Sequence, residues 1–286
     1  MQPIPLSVLI ITYNEELHIE HCIKSVQEWS SQIFVVDSFS TDRTVEIATR
    51  MGATVVSHEF RYPAQQKNWA LQNLRFENEW LLLLDADERV PAVLRDEITR
   101  VVTEDSKKYD GYWMRYRFIF YDRWIKHCGW YPSWYLRLVR QPKTRFEDRT
   151  VDEHAIVSGP VGYLENDLLH QSLQDMTAWI AKHNKYSSQN ARIYFDLSQK
   201  GERADLVPPR LFGTQAERKR FIKERIWPHL PGRAILYFFY MYVFRLGFLD
   251  GRQGFIFCYM HAIFQQFNIV KLWELQRATE ADHGEG

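Results

Sequence analysis

The chain has 286 residues, long enough for one large domain or for a domain with an appendage. Its 36 Lys+Arg balance 36 Asp+Glu, so the basic excess that marks wholesale nucleic-acid binding is missing and no nucleic-acid partner is expected. Cys22, Cys128 and Cys258 stand far apart with no CxxC spacing, which disfavours a cysteine-built zinc site and points to a reducing compartment.

The first hundred residues alternate between two periods. Residues 6–11, Leu-Ser-Val-Leu-Ile-Ile, read as a buried strand. Leu17, Ile19, Ile23, Val26 and Trp29 then recur at near-helical spacing. Residues 33–36 predict a second strand, after which Asp42 is placed to cap a helix running through Ile47 and Met51. A third strand is expected at 54–56, a helix at 64–74, and a fourth strand at 80–84, apolar on both faces. Pro91 suits the first turn of the next helix. This alternation predicts an α/β, Rossmann-like, mostly parallel sheet flanked by helices, with residues 80–84 in its middle. Residues 111–170 read as β-like and rich in aromatics and arginine. From 172 onward the pattern is helical, opened by Ser172-x-x-Asp175, which resembles a capping box.

Sheets of this kind bind ligands outside the carboxyl ends of their strands. The segments at those ends are Thr12-Tyr13-Asn14-Glu15, Asp37-Ser38, His58-Glu59 and Asp85-Ala86-Asp87-Glu88. Two acids closing a strand of four leucines need a cation or hydrogen-bond donors. A hard divalent ion takes oxygen ligands and keeps positions open for substrate phosphates. An acidic loop capping the Pro91 helix, with Glu88 assisting, accounts for the same residues taken alone. Asn14, Glu15 and Asp37 converge on the same edge, and Lys67 near the start of a helix suits a phosphate, which favours a ligand site.

These segments resemble family 2 glycosyltransferases of the GT-A fold. The resemblance rests on Ser7-Val8-Leu9-Ile10-Ile11-Thr12-Tyr13-Asn14-Glu15, on Val35-Val36-Asp37-Ser38-Phe39-Ser40-Thr41-Asp42-Arg43-Thr44, and on Leu84-Asp85-Ala86-Asp87-Glu88. It covers residues 4–100 firmly and 101–175 more loosely. Gln66-Lys67-Asn68-Trp69-Ala70-Leu71 and Gly247-Phe248-Leu249-Asp250-Gly251 look like a bacterial subgroup that includes lipopolysaccharide-core and envelope-polysaccharide enzymes. The resemblance implies a catalytic domain over 1–175, with a nucleotide-sugar half (1–100) and an acceptor half (101–175), followed by a helical region at 176–286. It implies a nucleotide-diphosphate sugar donor, UDP-sugar favoured, and a divalent metal, Mg²⁺ or Mn²⁺. Thr12, Tyr13, Asn14, Glu15 and Ala86 would line the nucleotide pocket and Asp37 would contact the base. Lys67 would sit near the base or diphosphate, Asp85 would face ribose or metal, and Asp87 would bind the metal, with His170 completing its shell. Many members carry a second acid where this chain has Ser38, which leaves the choice of base open. Inversion needs a base for the acceptor hydroxyl. The matching motif is Val151-Asp152-Glu153-His154, with Glu153 first and Asp152 second.

Two aromatic concentrations remain. Trp130, Tyr131 and Trp134 suit stacking on a saccharide or lipid-linked acceptor, and Arg137 its phosphate or carboxylate; a packed aromatic core explains the tryptophans and tyrosine equally. The stretches 235–249 and 255–273 carry apolar faces with basic flanks, which suit a membrane interface or a helical hairpin packed on the catalytic domain or a second subunit. The run from Ala234 to Phe244 is too short to cross a bilayer. Residues 1–5 lack the charged region of an export signal, so a cytoplasmic site on the inner face of the inner membrane is expected. A sugar-phosphate nucleotidyltransferase would need a Gly-rich phosphate loop after the first strand, and a dehydrogenase a GxGxxG; neither occurs. A non-catalytic scaffold would have no use for the Asp85/Asp87 pair.

Overall fold

The expected alternation appears from the first residues of the computed structural model, which describes residues 2–104, 108–147, 154–173, 175–200, 211–212, 217–218, 221–222, 230 and 232–284. Strand β1 (Ile4–Thr12) leads to α1 (Ile19–Lys24), β2 (Ser30–Asp37), α2 (Thr44–Arg50), β3 (Thr54–Ser57), α3 (Pro63–Asn73) and β4 (Trp80–Asp85). After the short β5 (Glu88–Arg89) and α4 (Ala92–Glu104), the chain turns to strands: β6 (Gly111–Phe120), β7 (Arg123–Trp124), β8 (Trp134–Arg140), β9 (Thr144–Phe146), β10 (Ala155–Val157), β11 (Val161–Tyr163) and β12 (Leu168–Gln171). The main sheet runs β3-β2-β1-β4-β8-β6-β12-β5. Its first four strands are parallel, and β8 joins β4 antiparallel.

Alternate residues explain why β1 is apolar except at Ser7, whose hydroxyl donates to Gln32 Oε1 at 2.7 Å, and at its end, and why β4 is apolar up to Asp85. Leu6, Val8, Ile10, Leu82 and Leu84 belong to one buried cluster. Leu9, Leu81 and Leu83 belong to another, with Ala64, Ala70 and Leu71 of α3. Side chains alternate across a strand, so a strand covered on both faces turns apolar residues to each. Asp42 does secure the start of α2: its Oδ1 accepts the Thr44 N–H at 2.9 Å, and its Oδ2 accepts that of Glu16 at 3.1 Å.

The chain divides into two compact units, Met1–Lys126 with Trp130–Leu173, and His127–Gly129 with Gln174–Gly286. The second unit holds α5 (Met176–Lys200), α6 (Arg233–Phe239), a π-helical turn at Tyr240–Phe244, a 3₁₀ turn at Gly247–Asp250 and α7 (Gly251–Gly284). The capping box expected at Ser172 is displaced by three residues. Asp175 itself caps α5, its Oδ1 accepting the Ala178 N–H at 2.8 Å, because an N-cap acid reaches the third helical amide.

Among the described residues no single helix is long and apolar enough to cross a membrane, but Arg233–Phe244 and Gly247–Thr279 form a pair bent by 73°. Two glycines permit this bend. A Cβ on Gly254 would lie 2.2 Å from the Gly247 carbonyl oxygen, and one on Gly247 would lie 2.8 Å from that of Met241. The buried Asp250 closes the corner: its Oδ2 accepts the His127 N–H at 2.8 Å and its Oδ1 lies 2.7 Å from His127 Nδ1.

Candidate active site

Register places the polar residues of the strand ends on one edge. Thr12 of β1 stands opposite Asp37 of β2, Asp37 opposite Ser57 of β3, and Ile11 opposite Asp85 of β4. The loops beyond are tied together by side chains. Asn14, with φ 53°, donates its N–H to Ser40 Oγ and accepts the Thr41 N–H on Oδ1, both at 2.8 Å. Asp37 Oδ2 accepts the Ser40 N–H at 2.9 Å. Tyr13 is exposed, Ala86 is buried beneath the edge, and the buried Thr12 hydroxyl has no hydrogen-bond partner among the described residues. A buried polar atom facing a strand end without a partner is a place for a ligand group. The Glu15 carboxylate is directed at His18. His18 Nε2 accepts the Leu173 N–H at 2.7 Å, so its proton sits on Nδ1, 2.5 Å from Glu15 Oε2.

Asp85 lies at the centre of the charge pattern. Its Oδ2 is 2.6 Å from Arg137 Nη2 and its Oδ1 is 3.7 Å from Lys67 Nζ. Burial opposes its charge, but Arg137 and Lys67 outweigh that and lower its pKa to about 2. Glu88 Oε2 accepts the Asp85 N–H at 2.9 Å, and its Oε1 lies 2.5 Å from the same arginine nitrogen. Glu88 is buried more deeply, and burial pushes its pKa up to about 7 against the pull of Arg137. Lys67 is buried rather than on a solvated helix face, its ammonium 5.3 Å from the centroid of the Phe146 ring.

Asp87 and His170 meet across β5 and β12, which pair antiparallel with Glu88 opposite His170. Asp87 Oδ2 is 3.2 Å from His170 Nε2. The edges of Tyr116 and Phe118 fix the imidazole at 5.3 and 5.1 Å between centroids. One oxygen and one nitrogen donor 3.2 Å apart match neighbouring corners of an octahedron with bonds of about 2.1 Å. The donor set therefore fits a divalent ion. Among the described residues no group of three or more His, Cys, Asp or Glu is gathered for a metal.

Arg137 requires a correction. The expectation placed it at the acceptor, whereas the structure buries it as counter-ion to Asp85 and Glu88. Antiparallel pairing of β8 with β4 carries it there. Of the aromatic candidates, Trp134 opens β8 itself, opposite Arg115 of β6, and Trp130 and Tyr131 precede that strand. Trp130 is 5.4 Å from Phe118, which itself touches His170. Tyr131 donates its hydroxyl hydrogen to Asp167 Oδ2 at 3.2 Å, and Arg115 lies 5.2 Å from the Trp134 ring centroid. Glu153 and Asp152 lie outside the described residues.

Sequence reasoning missed three residues of this site. Gln66, buried, donates to Ser38 Oγ at 2.7 Å, so an amide serves the hydroxyl that stands where many relatives carry an acid. Tyr116 and Tyr135 stack at 4.7 Å beside His170 and Arg137. The signal for Gln66 was its place directly before Lys67 on a helix start; β6 offered none, because its alternation is blurred by aromatics on both faces.

Residues 7–157 match the model of the family described as Glycosyl transferase family 2. An uncharacterised glycosyltransferase of Rickettsia bellii is 26% identical over 280 residues, covering 94% of this chain and 86% of that one. A lipopolysaccharide core biosynthesis glycosyltransferase of Rhizobium meliloti is 30% identical over 200 residues, covering 66% of this chain and 71% of its own. In fold, the chain is similar to a mannosyltransferase of Pyrobaculum calidifontis solved with GDP-Man and Mn²⁺, with a TM-score of 0.54 at 15% identity over 95% of this chain and 88% of the other. The chain thus belongs to glycosyl transferase family 2, on a GT-A fold, and among bacterial members it resembles the lipopolysaccharide-core enzymes.

Proposed function

We propose that the chain is an inverting, metal-dependent transferase. It moves a sugar from a nucleoside-diphosphate sugar, with UDP-sugars first to test, to a saccharide or lipid-linked acceptor of the cell envelope. It works at the cytoplasmic face of the inner membrane. The observation that carries this reading is the edge where Asp85, held ionised by Arg137 and Lys67, stands beside the Asp87–His170 pair.

The residues divide the work by charge. Lys67, at the start of α3, pairs with the diphosphate and holds its developing charge in a water-poor setting. Asp85 stays ionised at every physiological pH and accepts from the ribose hydroxyls. Asp87 and His170 are the ligands for a divalent ion, which would neutralise charge on the departing diphosphate. Thr12 Oγ1, buried without a partner among the described residues, meets the nucleoside. Glu153, or Asp152 after it, takes the acceptor proton as the oxygen attacks the anomeric carbon from the opposite face. The names of the Rhizobium meliloti relative and of the Pyrobaculum calidifontis neighbour, with its GDP-Man and Mn²⁺, support the acceptor class and the donor class respectively.

A panel of nucleotide sugars with Mn²⁺ or Mg²⁺, read by donor hydrolysis and thermal shift, tests the proposal. At least one donor is expected to raise the melting temperature and to be turned over only with metal. Failure of every donor to bind in the presence of metal would sink it, and a product of retained anomeric configuration would remove inversion.

A further inference from the structure

The second unit carries an apolar stripe turned outward. Ile235, Leu236, Phe239, Tyr240, Val243 and Phe244 are all exposed, Phe244 by 77% and Ile235 by 65%. Their spacing is that of one helix face, which a water-soluble helix turns toward a core. The stripe continues around the corner through Leu246, Phe248 and Leu249, and onto α7 with Phe255 and Tyr259. Inside the bend, Phe238 packs edge-on against Phe255 at 5.7 Å and Tyr242 against Phe248 at 6.2 Å. Among the described residues, Phe248 and Phe255 thus serve both the packed inside of the bend and its surface, while Phe244 keeps 77% of its area exposed.

Charge is arranged to match. The only acid between 233 and 273 is Asp250, which is buried and bound to His127. Arg245 and Arg252 at the bend are exposed, and neither forms an ion pair among the described residues. Apolar surface with exposed cations beside it suits an anionic bilayer, where each basic residue near the surface adds about 1 kcal/mol. A second copy fits less well, because a two-fold contact through this patch would set arginines against arginines. The arm Arg233–Phe244 is about 18 Å long at ~1.5 Å per residue, short of the ~30 Å hydrocarbon core. The 73° bend then turns the chain back.

We infer that the corner formed by Arg233–Phe244 and Gly247–Asp250 is a wedge that enters one leaflet of an anionic membrane, with Phe244, Leu246 and Phe248 inserted and Arg245 and Arg252 on the headgroups. This deepens the membrane-face part of the proposed function and names the segment that makes the contact. Full-length protein is sedimented with vesicles of phosphatidylethanolamine and phosphatidylglycerol, and with vesicles of phosphatidylcholine alone. Wild type is expected to bind the anionic vesicles at least tenfold more tightly. Phe244→Glu with Leu246→Glu, and separately Arg245→Glu with Arg252→Glu, are expected to lower that binding at least tenfold while leaving donor hydrolysis and far-UV circular dichroism unchanged. Absence of wild-type binding, binding unchanged in both variants, or a dimer that both variants dissociate would each overturn the wedge. Donor hydrolysis in lipid-free buffer reports on the transferase reading separately.

Discussion

Each unit sets a carboxylate at the end of a strand or at a corner, and the two acids are treated in opposite ways. Asp85 closes β4 with 36% of its side chain still exposed and cations on two sides. Asp250 closes the helical corner with 4% exposed, its oxygens taken by the backbone and ring of His127. An acid whose oxygens are consumed by its own chain holds a fold; one balanced by cations at an open edge is prepared to meet a ligand. The contrast predicts that changes at the sheet edge cost activity and changes at the corner cost stability.

The largest expected effect is on activity. Asp87→Ala removes a proposed metal ligand and should lower turnover by about 10²–10³-fold, the scale of losing a charge-stabilising group, with little change in melting temperature. Steady-state kinetics beside thermal unfolding checks both halves. A large loss of stability would place Asp87 with Asp250 rather than with Asp85. In the second unit, Gly254→Ala drives a Cβ to 2.2 Å from the Gly247 carbonyl and should destabilise by about 1–3 kcal/mol through overpacking. Urea unfolding of the full chain reads it, while donor affinity stays at the wild-type value. Asp250→Ala leaves the His127 N–H without its acceptor and should cost about 1–3 kcal/mol, again without loss of donor affinity.

The smallest effect is one of pH, and it separates the units by sign. In the second unit burial lowers the pKa of His183 to about 4 and of His261 to about 3. Unfolded histidine titrates near 6.5, so between there and pH 4 the unfolded chain binds more protons. Stability from these histidines is present above about pH 6.5 and is lost as pH falls. Glu88 does the reverse: its pKa is raised to about 7, so its contribution weakens as pH climbs from its unfolded value toward 7. The urea midpoint of unfolding, followed by the fluorescence of Trp179, which stacks on His183 at 3.5 Å, should fall on acidification from pH 6.5 to 4. A midpoint that is unchanged across this range would remove the buried-histidine account.

What was legible in the sequence follows the same division. Residues β1, β2 and β4 contribute could be read because strands buried on both faces are continuously apolar, and parallel pairing puts their carboxyl ends on one edge. The placement of Asp37 and Asp85 at that edge was therefore legible. Arg137 was read as an acceptor contact because its ion pair with Glu88 spans 49 positions and depends on the antiparallel placement of β8. The bond of Asp250 to His127 spans 123 positions and leaves no local mark beyond an acid between glycines. The offset cap at Asp175 shows the limit of motif spacing, since an acid three residues after a serine is itself a good N-cap.

Asp87 and His170 are proposed as a metal site at the edge that also carries Asp85. Titration of Mn²⁺ into wild type, Asp87→Ala and His170→Ala, each with UDP present, tests it most directly by electron paramagnetic resonance. UDP-dependent Mn²⁺ binding is expected in wild type and weakens at least tenfold in each variant. Equal binding in all three would contradict it.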